Sequence, residues 1–177
     1  MSQIAGPRCL LMVPEPIADA RAASKHPDEA LLLGLYPALR RFAAVVAPAE
    51  VAPDDLVHDA LVLVLRRGPI SDLAEPGAYL RRSMLNLASN HRRRLGRARH
   101  AVGRLRPDVS AKDSYPSDLG HLAVLRPEAR AVLYLQHVEG HSSESIARVL
   151  GLSDTAVRQI AVRARRDLRD HIEQQEG

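Results

Sequence analysis

The fold of this chain is decided by residues 142–169, which read SSESIARVLGLSDTAVRQIAVRARRDLR. Ser142 or Ser143 can cap a short helix, and Gly151 can end it, because glycine adopts the left-handed conformation at a helix C-terminus without steric cost. Ser153 can then cap a second helix whose apolar residues recur at helical spacing. Leu152 fills the corner between the two helices. The segment therefore predicts a helix-turn-helix.

The second helix of this motif carries arginines on the face opposite its apolar side. A recognition helix meets the major groove of DNA with such a face. A solvated basic face on an ordinary helical hairpin is the other interpretation, but the spacing, the corner glycine and the arginines together favour DNA binding. The candidate contacts to duplex DNA are Ser143, Thr155, Arg158, Gln159, Val162, Arg163 and Arg166.

The composition favours packed helices and a polyanionic partner. Apolar residues make up 46% of the 177 residues, yet there are only four Tyr, one Phe and no Trp, so the core must be built from Leu, Val and Ala. The net charge is +4, and residues 81–106 contain nine Arg and no acid. The single Cys9 fits a reducing compartment, and no apolar run reaches membrane-spanning length. We expect a soluble cytoplasmic protein with no membrane association.

Three further helices are expected in the N-terminal half. Apolar residues recur at three- and four-residue steps over residues 28–46, where Pro37 should kink or break the helix. A second helix runs over residues 53–67, and a third runs from residue 76 to about 95. The third helix carries a polar stripe formed by Arg82, Asn86, Asn90 and Arg93.

The fold class predicted from these patterns is all-α, with two small helical domains joined by a flexible linker. Residues 1–27 form a flexible extension without sustained periodicity, and residues 28–96 form the first domain. Residues 97–120 are rich in Gly, Pro, Ser and Asp and form the linker. The second domain covers residues 121–172, and residues 173–177 are a tail.

Three segments, in this order, carry a resemblance to one known family. Residues 53–61 (PDDLVHDAL) resemble A-E-D-L-V-Q-E-T-F, and residues 79–94 (YLRRSMLNLASNHRRR) resemble W-L-Y-R-I-A-x-N-x-A-x-D-x-x-R-R. Residues 125–135 (LRPEARAVLYL), followed by the helix-turn-helix, resemble L-P-x-x-x-R-x-V-L-x-L and S-x-x-E-I-A-x-x-L-G. The chain is therefore similar to the extracytoplasmic-function sigma factors of bacterial RNA polymerase, which belong to the sigma-70 family and consist of region 2 and region 4 joined by a linker.

The resemblance implies a role for each helical surface. The helix-turn-helix would bind the −35 element in duplex form, through the seven residues named above. The third helix would read the −10 element as it melts, through Arg82, Asn86, Asn90, Arg92, Arg93 and Arg94. The second helix would dock on the β′ clamp helices of the polymerase through Asp55, His58, Asp59, Val62 and Arg66.

The function implied by this resemblance is promoter recognition, in which the chain directs the polymerase core to promoters and helps to open them. The partners would be RNA polymerase core, through the β′ clamp helices and the β flap, promoter DNA, and an anti-sigma factor as a candidate regulator. The protein would act in the cytoplasm and on the nucleoid when part of the holoenzyme.

No catalytic, cofactor-binding or metal-binding residue is expected. His137 and His141 have a metal-like spacing, but Gly140 breaks the helix between them and no Cys or carboxylate joins them. A small metal-dependent hydrolase is disfavoured because no carboxylate–histidine constellation appears. Two alternatives remain: a stand-alone helix-turn-helix transcription regulator with an N-terminal helical dimerisation module, and an adaptor whose basic patch binds an acidic protein.

Overall fold

The computed structural model describes residues 27–101 and 117–176, and within these ranges the chain is all-α, as predicted. Short 3-10 helices at Ile70–Asp72 and Ser117–Val124 lead into the third and fourth α-helices. None of the described helices combines the length and hydrophobicity that crossing a lipid bilayer would need. The helices are α1 (Pro27–Val46), α2 (Pro53–Leu65), α3 (Pro76–Ala101), α4 (Pro127–His137), α5 (Ser143–Leu150) and α6 (Asp154–Glu176).

Helix α1 is continuous through Pro37, so the break that the sequence allowed there does not occur. Pro37 is exposed, whereas Leu39 and Phe42 in the next turn are buried. The burial of these side chains offsets the backbone hydrogen bond that proline removes. The start of α1 is held by Asp28, whose carboxylate accepts hydrogen bonds from the backbone N–H groups of Ile70 (3.1 Å) and Ser71 (2.8 Å).

Helices α1, α2 and α3 pack together and form what we call the N-terminal block. Pro53 occupies the start of α2, where the missing N–H costs nothing, and Asp54 and Asp55 lie in the first turn beside the positive end of the helix dipole. Each helix contributes one apolar face to the core, and each fully buried large side chain stabilises it by about 2 kcal/mol. The buried residues of α2 and α3 include Leu56, Val57, Ala60, Val64, Leu80, Met84 and Ala88.

The helix-turn-helix forms as the sequence predicts. The hydroxyl of Ser142 caps α5 by accepting from the N–H of Ser145 (3.2 Å), and that of Ser153 caps α6 by accepting from the N–H of Ala156 (3.1 Å). Gly151 ends α5 in the left-handed conformation, with φ = 70°. We refer to α4, α5 and α6 as the C-terminal block.

The N-terminal and C-terminal blocks do not stand apart, since one hydrophobic core runs through both. Phe42 of α1 and Tyr134 of α4 meet edge to face, with ring centroids 6.2 Å apart. Arg130 of α4 is only 5% exposed, and it donates hydrogen bonds to the carbonyl oxygens of Val46 (3.2 Å) and Ala47 (3.1 Å) at the end of α1. The sequence predicted the helices of each block but not this packing between them.

Two helices run past the ends that the sequence predicts. Helix α3 continues to Ala101, so the first five residues of the expected linker are helical, and residues 117–120 of that linker lie in a 3-10 helix. Helix α6 continues to Glu176, through most of the expected tail. Neither stretch contains a proline that would end a helix. Residues 1–26 of the expected N-terminal extension lie outside the described residues, and so do residues 102–116 of the expected linker.

Candidate nucleic-acid interface

The outer face of α6 carries the predicted contacts to duplex DNA. Thr155, Arg158, Gln159, Arg163 and Arg166 are all exposed there. Val162, in their midst, is 61% exposed. The seventh residue, Ser143, lies half-buried in the first turn of α5. The structure therefore gathers six of the seven residues on one continuous surface.

The charge on this face is available to a polyanion. Arg158 pairs with Asp154 at 2.8 Å, but its side chain is 71% exposed, so the pair contributes little stability and can exchange for a phosphate contact. Arg166 makes only a long contact of 3.5 Å with the neighbouring Asp167. Exposed arginine side chains with only weak ion pairs keep their guanidinium groups hydrated. These groups can form bidentate hydrogen bonds to phosphate or to guanine.

The structure divides the six residues predicted on α3 into two sets. Asn86, Asn90, Arg92, Arg93 and Arg94 are exposed, whereas Arg82 is half-buried. Arg82 and Arg92 each donate a hydrogen bond to a backbone carbonyl of the C-terminal half. The Nη2 group of Arg82 donates to the carbonyl oxygen of Arg148 at 2.9 Å, and the Nη1 group of Arg92 donates to that of Leu125 at 3.3 Å.

One cleft joins the arginines of the two blocks. Arg92 of α3 and Arg163 of α6 line the same cleft of about 510 Å³, together with Arg126. Glu128 and Asp167 also line it, so positive charge there is partly balanced. Sequence reasoning missed Arg126, because it stands immediately before α4 and belongs to no periodic pattern. Only the folding of α4 against α3 and α6 makes it a neighbour of the other two.

The predicted docking stripe on α2 is fully presented to solvent. Asp55, His58, Asp59, Val62 and Arg66 are exposed, and none of their side chains makes a hydrogen bond or ion pair within the described residues. Three apolar side chains of α2 are exposed, Val62 at 36%, Leu63 at 40% and Leu65 at 46%, and of these Val62 lies on the stripe. The stripe thus combines acidic groups with an unpartnered valine.

Asp54 is a structural residue that lies next to this stripe. Its Oδ1 atom accepts hydrogen bonds from the Tyr36 hydroxyl (2.7 Å) and from Nε of Arg40 (2.9 Å), both on α1. The hydrogen bond from Tyr36, followed by that from Arg40, lowers the pKa of Asp54 below its ordinary value. The same carboxylate raises the pKa of Tyr36. Asp54 therefore links α2 to α1 through hydrogen bonds, whereas the side chain of the neighbouring Asp55 makes no such contact in the described structure.

The described residues contain no cluster of three or more His, Cys, Asp or Glu side chains that could hold a metal ion. His141, which the sequence placed at a metal-like distance from His137, instead contacts Ser145 through Nδ1 (2.9 Å) and Glu139 through Nε2 (3.3 Å). Among the described residues, the exposed faces of α3 and α6 bear arginine and amide groups, a chemistry suited to binding DNA.

Comparison with known proteins identifies relatives over most of the chain. Residues 122–168 match the family described as Sigma-70, region 4. The chain is 34% identical over 143 residues to a protein named RNA polymerase sigma-E factor from Streptomyces avermitilis, covering 77% of this chain and 79% of the relative. A protein of the same name from Streptomyces antibioticus is 32% identical with the same coverage.

The fold is also similar to a solved structure, that of the sigma factor RpoE from Bartonella quintana in complex with the anti-sigma factor NepR. The TM-score is 0.62 and the sequence identity 23%, over 82% of this chain and 96% of that one. The likeness covers nearly the whole length of the solved chain, so it includes helices from both blocks.

Proposed function

Because this chain belongs to the extracytoplasmic-function group of the sigma-70 family, and so serves to initiate transcription with RNA polymerase, we propose a role for each exposed face. In this proposal α6 binds the −35 element, α3 reads the −10 element, and α2 docks on the polymerase. The observation that carries it is the surface of α6, where exposed arginine and amide side chains project from a capped helix-turn-helix.

Helix α6 binds duplex DNA in the major groove. Arg158 and Arg163 contact guanine edges or phosphates, Gln159 contacts an adenine edge, and Val162 packs against thymine methyl groups. Ser143, Thr155 and Arg166 contribute backbone contacts that fix the position of the helix on the duplex. The exposure of Val162 leaves its side chain accessible for this contact.

Helix α3 binds the non-template strand where the duplex opens. Asn86 and Asn90 can both donate to and accept from the edge of an unstacked base, and Arg93 and Arg94 neutralise the adjoining phosphates. Arg82 and Arg92 lie on the same helix and supply further cations for phosphate contacts. Aromatic stacking platforms are scarce in a chain with four Tyr, one Phe and no Trp, so we expect this protein to open only well-matched promoters.

Helix α2 docks on the β′ clamp helices, and the C-terminal block contacts the β flap. Asp55, Asp59 and Arg66 supply charge complementarity, and Val62 supplies the desolvated contact at the centre of the stripe. An anti-sigma factor is a further partner, which the complex of the structurally similar Bartonella protein suggests. The protein acts where its polymerase does, in the cytoplasm and on the nucleoid, and it performs no bond chemistry of its own.

The stand-alone regulator is the less favoured reading. A dimerisation module would need a broad apolar face on the N-terminal block, whereas the exposed residues of α3 are polar and those of α2 mix charged with apolar side chains. The relatives, which match 77% of this chain, are named RNA polymerase sigma-E factors.

Run-off transcription with core polymerase on a library of genomic promoters tests the proposal. We expect specific starts only when the protein is added, and their loss in the Arg158→Ala/Arg163→Ala variant. Arg169→Ala, which removes an exposed arginine near the end of the same helix, should leave them intact. Specific DNA binding by the isolated protein, without any effect on the polymerase, would contradict the proposal.

Co-purification with core polymerase tests the docking stripe separately. Val62→Asp should abolish binding because it places a charge at the centre of the contact. Leu63→Asp is the matched control, since Leu63 is equally exposed but stands off the stripe. Equal binding by the two variants would remove α2 from the docking surface.

A further inference from the structure

We propose that the cleft where α3, α4 and α6 meet is a binding site for a nucleoside di- or triphosphate. The cleft has a volume of about 510 Å³, and Arg92, Arg126 and Arg163 line it. Sites that bind small molecules usually have volumes of about 300–1,000 Å³, so a nucleotide fits a space of this size. Such a ligand goes beyond the proposed function, and only its effect on DNA rests on that function.

The three arginines of the cleft come from separate elements of the fold. Arg92 belongs to α3, Arg126 is the residue before α4, and Arg163 belongs to α6. The side chains of Arg126 and Arg163 make no hydrogen bond or ion pair within the described residues. Arg92 donates one hydrogen bond of 3.3 Å to the carbonyl oxygen of Leu125. Cations along the walls of a cleft concentrate the positive potential there, and this potential attracts an anion with several charges.

A second hollow of about 350 Å³ adjoins the cleft. It shares Arg92, Arg126 and Glu128 with the cleft, and it adds Arg93 to the lining. The two spaces together present these four arginines and the carboxylates of Glu128 and Asp167. Positive charge is therefore in excess, which suits a chain of two or three phosphates.

The first turn of α4 adds backbone donors to the same wall. Helix α4 has 11 residues and begins at Pro127, and the residue before it, Arg126, makes no side-chain cap. The N–H groups of Glu128 and Ala129 have no acceptor within the described residues, and both residues line the cleft. N–H groups at the positive end of a helix dipole bind phosphate oxygens well. In the proposed site these N–H groups supplement the arginines.

The carboxylates of the cleft favour a nucleotide over a bare polyphosphate. Oε1 of Glu128 accepts a hydrogen bond from the hydroxyl of Ser89 at 3.0 Å, and Asp167 makes only a long contact of 3.5 Å with Arg166. An ionised carboxylate accepts hydrogen bonds and cannot donate them, so it repels phosphate and attracts hydroxyl and amino groups. The ribose hydroxyls and the amino group of a base are donors of this kind.

The cleft also has an apolar wall, which is formed by Val124, Leu125, Ile160 and Ala164. Val124 is 45% exposed, although it is a large apolar residue. A base that lies with its face against these side chains removes apolar surface from water, which favours binding. The phosphates, the ribose and the base of a nucleotide therefore each meet side chains of matching chemistry.

Occupation of the cleft lowers the affinity for promoter DNA, because two of its arginines have roles on DNA in the proposed function. Arg163 contacts the −35 duplex, and Arg92 contacts phosphates of the −10 strand. The phosphates of a nucleotide compete with those of DNA for the same guanidinium groups. A nucleotide is therefore a competitive inhibitor of DNA binding by this protein.

Isothermal titration calorimetry of the full-length protein with ATP and with GTP tests the site. We expect saturable binding of at least one of the two nucleotides to wild type. Arg126→Ala should weaken this binding about tenfold, because it removes a charged hydrogen-bond donor. Arg126 is exposed and belongs to neither set of proposed DNA contacts. Arg165→Ala removes an exposed arginine of α6 outside the cleft, so it is the matched control and should bind as wild type does.

Three further measurements locate the ligand and define its chemistry. In nuclear magnetic resonance spectra, the nucleotide should shift the amide signals of Glu128 and Ala129, whereas that of Asp55 on α2 should stay in place. Inorganic pyrophosphate should bind more weakly than the nucleotide, because it offers no donor to the carboxylates. The nucleotide should weaken binding of a labelled promoter duplex by wild type, and it should do so much less for Arg126→Ala.

Several results would overturn the site. One is that neither ATP nor GTP binds wild type with a Kd below about 1 mM. Another is that Arg126→Ala binds as wild type does, or that Arg165→Ala weakens binding equally, since equal effects indicate a diffuse attraction to the basic surface. Amide signals of Glu128 and Ala129 that do not shift would exclude the cleft. Pyrophosphate that binds as tightly as the nucleotide would overturn the assignment of the nucleoside part.

These outcomes are separate from those that decide the proposed function. Calorimetry and magnetic resonance use neither polymerase nor DNA, so absence of nucleotide binding leaves the role in promoter recognition unchanged. A wild-type protein that starts no transcription with core polymerase would contradict the proposed function and would leave the nucleotide site standing.

Discussion

The buried guanidinium group of Arg130 offers a direct measure of how strongly the two blocks hold each other. Arg130→Ala removes the hydrogen bonds that the guanidinium group donates to the carbonyl oxygens of Val46 and Ala47, together with its other contacts. A hydrogen bond from a charged group contributes about 1.5–3 kcal/mol, so these two contribute about 3–6 kcal/mol. Water that enters the space left by the side chain recovers part of this, so we expect a loss of about 2–4 kcal/mol.

Urea unfolding, followed by far-ultraviolet circular dichroism, measures this loss. The wild-type protein should unfold in one transition, because Phe42 and Tyr134 belong to a core shared by both blocks. Arg130→Lys should lose an intermediate amount, since an ammonium group keeps the charge but cannot present a planar fork to two carbonyls. Arg94→Ala, which removes an exposed arginine, should change the free energy of unfolding by less than about 0.5 kcal/mol.

A decrease of less than about 1 kcal/mol in the free energy of unfolding of Arg130→Ala would refute this reasoning. The hydrogen bonds of Arg130 would then be hardly more favourable than the hydrogen bonds to water that replace them. A wild-type protein that unfolds in two separate transitions would refute the claim that one core stabilises both blocks.

Three other predictions concern single residues. Ser142→Ala should lower the free energy of unfolding by about 1 kcal/mol in the same urea assay, because the N–H of Ser145 loses its capping acceptor. An unchanged urea midpoint would show that this cap does not stabilise the fold. The pKa of Asp54 in the folded protein lies below its ordinary value of 3.8. Ionised Asp54 therefore stabilises the fold at pH values above 3.8, and this stabilisation is lost as the pH falls through the folded-state pKa. The Tm difference between wild type and Asp54→Asn should therefore shrink on acidification from about pH 7 to about pH 3, and a constant difference would argue against it. Arg158→Ala should weaken duplex binding by the holoenzyme. If Arg158 contacts a phosphate, the slope of the logarithm of the binding constant against the logarithm of the salt concentration should fall in magnitude by about 1. An unchanged slope with a relaxed sequence preference would instead indicate that Arg158 contacts a base.

The division of the α3 residues bears on how relatives of this chain are interpreted. Asn86 and Arg82 stand four residues apart on one stripe, yet one is exposed and the other is bound to the C-terminal block. A stripe identified from spacing alone therefore mixes exposed residues with residues that another helix of the described structure covers.

Much of the fold could be predicted because its signals are local. The caps at Ser142 and Ser153 act on N–H groups three residues away, Gly151 acts on its own backbone, and Pro53 acts at the first position of its helix. Apolar residues at three- and four-residue steps then assign the buried faces. Pro37 does not break α1, although proline removes a backbone hydrogen bond from a helix, because the burial of Leu39 and Phe42 in the next turn offsets that loss.

The sequence by itself determined the three helices of the N-terminal block, the helix-turn-helix with its caps, and the faces that carry arginine and amide groups. Each of these depends on residues within about one turn of one another. Only the tertiary structure decided which arginines are free. Arg130 finds its acceptors 83 and 84 residues away, and Arg82 finds its acceptor 66 residues away. An arginine that will be buried against a carbonyl of another helix has the same helical spacing as one that will face DNA, because periodicity assigns a residue to a face but does not say what will cover that face.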